Sequence, residues 1–241
     1  MGDRMKYQEL VDSLIRYIED DQLEGSDQLP TVADLMLTFD VSKSTVVRSL
    51  KILEDRGIIY QRRGSGIFIR EKHQRNNYFP FFHQHGHSRD VADFPYERKV
   101  LKVTIMKANK NVAFNLKLKP GDGVYLVNRL SYHDNQPFVF EESYFKLDSI
   151  PHLSEEIAAD SIFDYLKRKL KFKFGFTDTF LNLTKATDYV AECLELEDQS
   201  SSIFHFEDIY HLSDGTPIVY SNMYYHPDKS KFYIYGNRIE L

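Results

Sequence analysis

One stretch of the chain occurs twice, eighty residues apart, and this repeat limits the folds open to the C-terminal half. Residues 124–145, VYLVNRLSYHDNQPFVFEESYF, align with residues 204–225, FHFEDIYHLSDGTPIVYSNMYY. The identical pairs are Asp134/Asp214, Pro137/Pro217, Val139/Val219 and Tyr144/Tyr224. Each copy is rich in strand-forming residues around a central polar turn, a pattern typical of a long β-hairpin. The repeat therefore predicts a duplicated unit built around one antiparallel sheet.

Short helical segments accompany the two copies. An A-x-x-L-x-L pattern precedes each of them, starting at Ala113 and at Ala191. Between the copies, residues 160–172 carry apolar side chains at helical spacing. Those on one helical face are Ile162, Phe163, Leu166 and Leu170. The second half of the chain is therefore predicted to be an α+β domain with helices packed on an antiparallel sheet.

The first seventy residues have a different organisation, with three predicted helices. Apolar residues recur at helical spacing over residues 7–18. Thr31 and Asp34 have the spacing of a capping box at the start of a second helix. Ser42 can cap a third helix, which Gly57 ends. The break between the second and third helices is so short that only a compact corner fits there.

A hairpin follows the third helix. Residues 58–60 and 67–69 are two β-rich runs joined around Gly64-Ser65-Gly66, which predicts a hairpin with a flexible tip. Along the third helix, one face carries the residues predicted to be buried: Val46, Ser49, Leu50 and Leu53. Three helices with a tight turn and a hairpin predict a winged helix-turn-helix.

Basic residues are concentrated in this part of the chain. Residues 41–75 carry 9 lysines and arginines against 3 acids, a net charge of +6, whereas residues 1–40 have a net charge of −7 and the whole chain −5. A local basic region on an acidic chain indicates contact with a polyanion. A cluster of solvated surface charges is the alternative interpretation.

The positions of these residues suggest a contact with DNA. Hydroxyls and a lysine at the N-terminus of the third helix favour phosphate, and Arg48 is placed to read a guanine. Arg62 and Arg63 precede the glycine tip, where arginine can enter a narrow minor groove. The candidate DNA contacts are Thr31, Ser42, Lys43, Ser44, Thr45, Arg48, Arg62, Arg63, Gly64, Ser65 and Gly66.

Residues 29–69, LPTVADLMLTFDVSKSTVVRSLKILEDRGIIYQRRGSGIFI, resemble the winged-helix domain of GntR-family transcription regulators. In that family L-P-S-x-R-x-L is followed by V-S-R-x-T-V-R, then G-[LI]-I and G-x-G-x-[FY]-[VI]. Three positions depart from the pattern: Ala33 and Val47 stand where the family has arginine, and Lys43 replaces another arginine. The departures predict an operator different from those of better-known members.

The rest of the chain resembles the UTRA effector domain of the HutC subfamily, through GDGVYLVNRL, PFVFEESYF and DSIFDYL. The resemblance implies a chorismate-lyase-like fold and a pocket for a sugar phosphate or another small anion. The family's R-x-R pair is Arg129-Leu130-Ser131 here, so one arginine is missing, and Phe163 replaces a tyrosine. Val219 stands where an acid is expected. The candidate effector contacts are Arg129, Ser131, Glu141, Ser143, Ser161, Phe163, Tyr220 and Tyr224.

These observations predict three segments: a winged helix-turn-helix over residues 1–72, a linker over 73–96, and an effector-binding and dimerisation domain over 97–241. The expected function is that of a homodimeric regulator, most simply a repressor, which binds a pseudo-palindromic double-stranded operator and responds to a small-molecule effector. A chorismate-lyase-like enzyme is one alternative, and a constitutive DNA-binding protein with a dimerisation-only second domain is another. For Arg129 and Glu141, an internal ion pair that organises the sheet is the alternative to ligand binding.

Several classes of protein are not supported by the sequence. There is no apolar run of eighteen residues, no leader pattern at the N-terminus and a single cysteine, Cys193, which together favour a cytoplasmic protein without a membrane segment. No cofactor motif is present, so no cofactor is expected. His83, His85 and His87 alternate in FHQHGH and could chelate a metal, although a polar linker is the preferred interpretation.

Overall fold

The N-terminal part of the chain has helical periodicity and the C-terminal part has mostly strand periodicity, and the fold follows this division. The computed structural model describes residues 7–71, 78–80, 96–198 and 201–233. The described residues fall into two compact units, one within residues 1–76 and the other within residues 77–233. No helix in these described ranges is both long enough and apolar enough to cross a membrane.

The first unit is a winged helix-turn-helix. Its elements are α1 (Tyr7–Asp20), β1 (Gln28–Leu29), α2 (Val32–Thr38), α3 (Lys43–Asp55), β2 (Ile59–Arg62) and β3 (Gly66–Ile69). The three helices bury an apolar core against the hairpin, with the α3 side chains Val46, Leu50 and Leu53 at or near zero exposure. These are residues that the helical periodicity predicts to be buried.

The predicted caps also form. Thr31 accepts a hydrogen bond from the backbone of Asp34 while the Asp34 carboxylate accepts one from Thr31, which completes the capping box of α2. Ser42 caps α3 in the predicted position. The strand β1 is not evident in the sequence, since a two-residue strand has no periodicity. It pairs with β3 and extends the hairpin to a sheet of order β1-β3-β2.

The second unit is built around a six-stranded antiparallel sheet of order β5-β6-β7-β10-β9-β8. The strands of this sheet are β5 (Glu97–Lys107), β6 (Gly123–His133), β7 (Gln136–Lys146), β8 (Phe174–Lys185), β9 (Ser202–Leu212) and β10 (Pro217–Tyr225). The repeated hairpins are β6–β7 and β9–β10, and they meet at the centre through the β7–β10 pair. The duplicated α+β architecture with an antiparallel sheet is therefore confirmed.

The remaining elements of this unit are short. The helices are α4 (Lys110–Asn115), α5 (Glu155–Ala159), α6 (Ile162–Asp164), a π-helical turn over Tyr165–Lys169, and α7 (Asp188–Cys193). Two further strands, β4 (Tyr78–Pro80) and β11 (Lys231–Tyr233), pair in parallel. Because β4 lies inside the predicted linker of residues 73–96, part of that segment belongs to the second unit.

The two faces of the six-stranded sheet are covered by different helices. On one face, called the arginine face, Arg129 pairs with Glu141, and Ser143, two residues further along β7, pairs with Ser221, which pairs with Asp208. The apolar part of this face packs against α5, α6 and the π-helical turn. The opposite face, called the cavity face, carries Asn128, Glu142, Asn222 and Glu207 in one cross-strand row. Helices α4 and α7 pack on this face in two separate clusters.

Candidate DNA-binding surface and effector site

The N-terminus of α3 is arranged by hydroxyl groups. The Ser42 Oγ atom accepts a hydrogen bond from the backbone N–H of Thr45 at 3.2 Å and lies 2.8 Å from the Thr45 Oγ1 atom and 2.9 Å from the Ser44 Oγ atom. Ser42 is therefore engaged in capping, whereas Lys43 and Ser44 are exposed. Free N–H groups and the helix dipole make such an end favourable for a phosphate.

Arg48 stacks on an aromatic ring of α1. Its guanidinium carbon lies 3.7 Å from the centroid of the Tyr7 ring, while Ser49 donates a hydrogen bond to the Tyr7 carbonyl at 2.8 Å. A guanidinium that stacks through its face keeps its N–H donors pointing outward in its plane. The stacking therefore fixes the position of the Arg48 guanidinium and leaves its N–H donors available for a bidentate hydrogen bond.

Two positions on the outer surface of α3 reduce its free positive charge. Val47, in the place of a family arginine, is 50% exposed. Lys51 is paired with Asp55 at 2.9 Å and Glu54 at 3.6 Å, so part of its charge is compensated within the helix. Arg48 and Lys43 are the exposed basic side chains of α3 outside these ion pairs.

The hairpin tip has the predicted glycine geometry. Arg62, Arg63, Gly64 and Ser65 are exposed, and the backbone of Gly64 has φ +78° with open space around it. Gly66 has φ +129°, and a Cβ there would collide with the Gln28 amide, which donates a hydrogen bond to the Ser65 carbonyl at 3.1 Å. A side chain at this position would therefore force a rearrangement of the tip.

On the arginine face, Arg129 and Glu141 form a buried ion pair. Arg129 is 4% exposed, and its Nε and Nη2 atoms donate to the Glu141 carboxylate at 2.7–3.0 Å, while its Nη1 atom donates to the Ala158 carbonyl at 3.3 Å. Ser143 donates to the Glu141 carboxylate at 2.6 Å and lies 2.6 Å from the Ser221 hydroxyl. Most of the donors of Arg129 are therefore used within the protein, as the ion-pair alternative predicts.

Burial alone would raise the pKa of Glu141. The charges of Arg129 and Arg98, together with hydrogen bonds from Arg129 and Ser143, outweigh it and hold the pKa below its usual range. The carboxylate is therefore charged in the folded protein, and its countercharges come from two arginines.

Arg98, which is not among the residues predicted from the sequence, lies beside this ion pair. It lies on β5 directly opposite Ser131 on β6, the position where the resemblance leaves an arginine missing. Its Nη2 atom donates to the Tyr96 hydroxyl at 2.9 Å, and its buried Nε atom meets no acceptor among the described residues. Burial and the neighbouring Arg129 lower the pKa of Arg98, and the Glu141 carboxylate opposes this shift. Only strand register connects Arg98 with Ser131, so no local motif could have identified it.

The other predicted effector contacts do not form one cluster. Ser131 is on the arginine face, Ser161 caps α6 through the backbone of Asp164, and Phe163 is buried in the apolar core. Tyr220 and Tyr224 lie on the cavity face instead. The eight predicted contacts are thus divided between the two sides of the sheet.

A second buried acid lies on the arginine face. Asp208 has no exposed surface, and its carboxylate accepts hydrogen bonds from the Thr179 hydroxyl at 2.5 Å and the Tyr210 hydroxyl at 3.4 Å. Burial raises the pKa of Asp208 to about 6, against the effect of these two hydrogen bonds.

The described residues contain no group of three or more histidine, cysteine or acidic side chains that could hold a metal. His83, His85 and His87 lie outside the described residues, so the structure does not bear on their predicted alternatives.

Two protein families match the chain. Residues 6–69 match the family described as "Bacterial regulatory proteins, gntR family", and residues 93–231 match the UTRA domain.

Several relatives match nearly the whole chain, including one from Bacillus subtilis and one from Escherichia coli. The HTH-type transcriptional regulator YydK of Bacillus subtilis (strain 168) is 37% identical over 237 residues, which are 98% of this chain and 100% of YydK. The mannosyl-D-glycerate transport/metabolism system repressor MngR of Escherichia coli (strain K12) is 25% identical over 240 residues, 99% of this chain and 98% of MngR. The crystal structure of YydK matches with a TM-score of 0.84 at 36% identity, covering 95% of this chain and 99% of that one.

Proposed function

Because the chain belongs to the GntR family of bacterial regulatory proteins and carries a UTRA domain, we propose that it is a homodimeric transcription repressor without enzymatic activity, controlled by a small anionic effector. The winged helix of residues 1–72 reads an operator, the segment 73–96 links the two parts, and residues 97–241 bind the effector and dimerise. The observation that carries the proposal is the α3 helix, whose N-terminus presents exposed Lys43 and Ser44 beside the stacked Arg48. The name of MngR supports repression over activation.

The DNA-binding role assigns a specific task to Arg48. Stacking on Tyr7 leaves its N–H donors available for a guanine, whereas Lys43, Ser44, Arg62 and Arg63 contact phosphates or the minor groove. Since Val47 replaces an arginine on the same helix, Arg48 supplies the main base contact of α3. The preferred operator therefore differs from those of relatives with an arginine at that position.

Selection from random duplex DNA followed by fluorescence anisotropy tests this role. Arg48→Ala should weaken binding to the selected operator by about 10- to 100-fold, equivalent to about 1–3 kcal/mol for a bidentate base contact. The control is Arg168→Ala, which removes the same charge from a side chain that is 80% exposed in the second unit. Equal affinity of Arg48→Ala and wild type for the operator would contradict the assignment.

The effector role depends on Arg98 and Arg129. Arg129 is largely satisfied by Glu141 and Ala158, so the Nε atom of Arg98, which has no acceptor within the described part of the chain, provides the donor that an anion would require. Arg98 thus takes the place of the missing second arginine from a neighbouring strand. Both guanidinium groups flank the Glu141 carboxylate, and the donor that remains at Arg98 favours a phosphate or carboxylate ligand.

A calorimetric screen of phosphorylated and carboxylated sugars against their uncharged parents tests the effector site. Binding of an anion should be weakened at least 10-fold in Arg98→Gln, and unchanged in the adjacent exposed control Lys99→Gln. Linkage requires that operator DNA lowers the affinity for this effector if the effector is an inducer. An anion that binds Arg98→Gln as tightly as wild type would refute the role of Arg98.

For dimerisation, we propose the edge strand β8. It is twelve residues long and has no second neighbour among the described strands. It exposes large apolar side chains, namely Phe176, Phe180, Leu181 and Leu183. A long apolar edge is suited to pairing with the same strand of a second copy, and two winged helices need such a dimer to bind two half-sites.

The double variant Leu181→Lys/Leu183→Lys should be monomeric by light scattering, and an unchanged dimer would exclude β8 as the interface.

A further inference from the structure

The cavity face contains a polar cavity that the effector role does not use. Its volume is about 420 Å³. Its floor is the row Glu142, Asn222 and Glu207, which crosses the three strands β7, β10 and β9. The lining residues include Asn111, Tyr144, His205, Tyr220 and Tyr224.

Aromatic rings stand on both sides of this polar row. On the side of α4, the Tyr144 and Tyr220 rings are stacked with centroids 6.0 Å apart. On the side of α7, the His205 ring stacks on the Tyr224 ring at 4.4 Å. The cavity therefore presents a floor of carboxylates and amides between two aromatic walls.

The two carboxylates receive hydrogen bonds only from neutral donors among the described residues. The Tyr144 hydroxyl donates to Glu142 at 2.6 Å, the Tyr220 hydroxyl donates to Glu207 at 2.7 Å, and the Asn182 amide donates to Glu207 at 3.0 Å. None of the ten lining residues is a lysine or arginine. The negative charges of Glu142 and Glu207 are therefore not balanced within the cavity lining.

A buried amide lies beside this floor, outside the cavity lining. Asn128, opposite Glu142 on the next strand, is 5% exposed, and its Oδ1 atom has no hydrogen-bond partner among the described residues.

Burial and the hydrogen bond to Glu142 raise the pKa of Tyr144 well above its usual range, and burial with the hydrogen bond to Glu207 does the same for Tyr220. Both tyrosines thus stay protonated donors, and both glutamates stay available as acceptors.

We propose that this cavity binds a small organic amine. Its ammonium groups pair with Glu142 and Glu207, and its carbon chain lies between the two aromatic walls. An ammonium group supplies a positive charge that no lysine or arginine of the lining provides, its N–H groups can donate to both carboxylates, and aromatic faces attract it further. The two glutamates lie two strands apart, about 10 Å between Cα atoms at the usual strand spacing. A diamine can therefore reach both carboxylates at once.

The site is separate from the effector site on the arginine face. Glu142 and Glu141 are adjacent in β7 but their side chains lie on opposite faces of the sheet, as do those of Glu207 and Asp208 in β9. Amine binding and anion binding can therefore be measured independently on the full chain.

Isothermal titration calorimetry of the full chain with matched ligand pairs tests the proposal. Putrescine and glucosamine are the amine probes, and 1,4-butanediol and glucose are the same skeletons without a positive charge. We expect an amine to bind at least 10-fold more tightly than its neutral counterpart, and the binding to weaken with rising salt. Equal binding of the neutral counterparts, or no binding by either amine at millimolar concentration, would overturn the proposal.

Variants then locate the binding. Glu142→Gln and Glu207→Gln keep an acceptor oxygen for the tyrosine hydroxyls and should each weaken amine binding at least 10-fold. Glu97→Gln, which changes an exposed glutamate in β5, should leave amine binding unchanged. Binding that survives in the Glu142→Gln/Glu207→Gln double variant reflects non-specific attraction to an acidic chain and contradicts the site. Displacement of the amine by equimolar Ca²⁺ contradicts it as well, in favour of a metal.

Discussion

Glu141 and Glu142 are neighbours in β7, yet their side chains lie in opposite environments. Glu141 is 13% exposed and is held by Arg129, Ser143 and the charge of Arg98. Glu142 lines an open cavity and accepts a hydrogen bond from Tyr144, with no lysine or arginine in the lining. The same residue type thus completes an internal ion pair on one face and leaves an uncompensated charge on the other. The side chains that cross-strand pairing places beside a glutamate therefore determine whether its charge is balanced.

The largest effect is expected when each of the two carboxylates is removed in turn. Glu141→Ala leaves the guanidinium of Arg129 buried without its countercharge and should lower the free energy of unfolding by about 3–5 kcal/mol. Glu142→Ala leaves only the Tyr144 hydroxyl, which water in the cavity can reach, so we expect a loss of about 1 kcal/mol or less. Urea unfolding of both variants measures the two values. Similar losses of unfolding free energy would mean that the two carboxylates contribute equally to stability, contrary to this comparison.

The second test uses pH and the buried Asp208 on the arginine face. Its folded pKa of about 6 is above its usual value of 3.8, so between these two pH values the folded state binds more protons than the unfolded state. This group therefore makes the protein less stable as pH rises from about 4 to 6, and the penalty is constant above that range.

Asp208→Asn should remove this penalty. The stability of the variant relative to wild type should rise by about 3 kcal/mol between pH 4 and pH 7, at 1.36 kcal/mol for each unit of pKa difference. Urea unfolding across this range measures it. Parallel stability curves for the two proteins would show that the Asp208 carboxyl is not perturbed.

The smallest test compares two hydroxyl groups next to each other in sequence. The Ser143 hydroxyl is fully buried between Glu141 and Ser221, so Ser143→Ala leaves two buried partners incompletely bonded and should cost about 1–3 kcal/mol. The Tyr144 hydroxyl faces the cavity, and Tyr144→Phe should cost under about 1 kcal/mol. Thermal unfolding distinguishes the two, and a larger effect for Tyr144→Phe would reverse the comparison.

The winged helix was predictable in detail because its signals are local. Helical periodicity predicted the buried Val46, Leu50 and Leu53, and the caps at Thr31 and Ser42 depend on residues three positions apart. What was missed there, the strand β1 and the stacking of Arg48 on Tyr7, joins segments far apart in the chain.

The residues of the proposed effector site were harder to place from the sequence. The resemblance identified Arg129, Glu141, Ser131 and Ser143, which the sheet does bring to one face. It grouped Tyr220 and Tyr224 with them, although strand pairing puts these tyrosines on the other side. Arg98 was absent from the prediction because its place opposite Ser131 depends on the β5–β6 register, which includes a bulge between Val100 and Lys102.

The sequence by itself determined the winged helix, the duplicated sheet and the family, since these depend on periodicity, capping and repeated motifs within short stretches of chain. Strand periodicity also requires that Glu141 and Glu142 point to opposite faces. Only the tertiary structure decided that Arg98 joins Arg129 and that Glu142 joins Glu207 in a cavity. The physical reason is that register and helix packing bring together residues far apart in the chain, such as Asn111 and Tyr220, which are 109 positions apart, and no local pattern encodes such contacts.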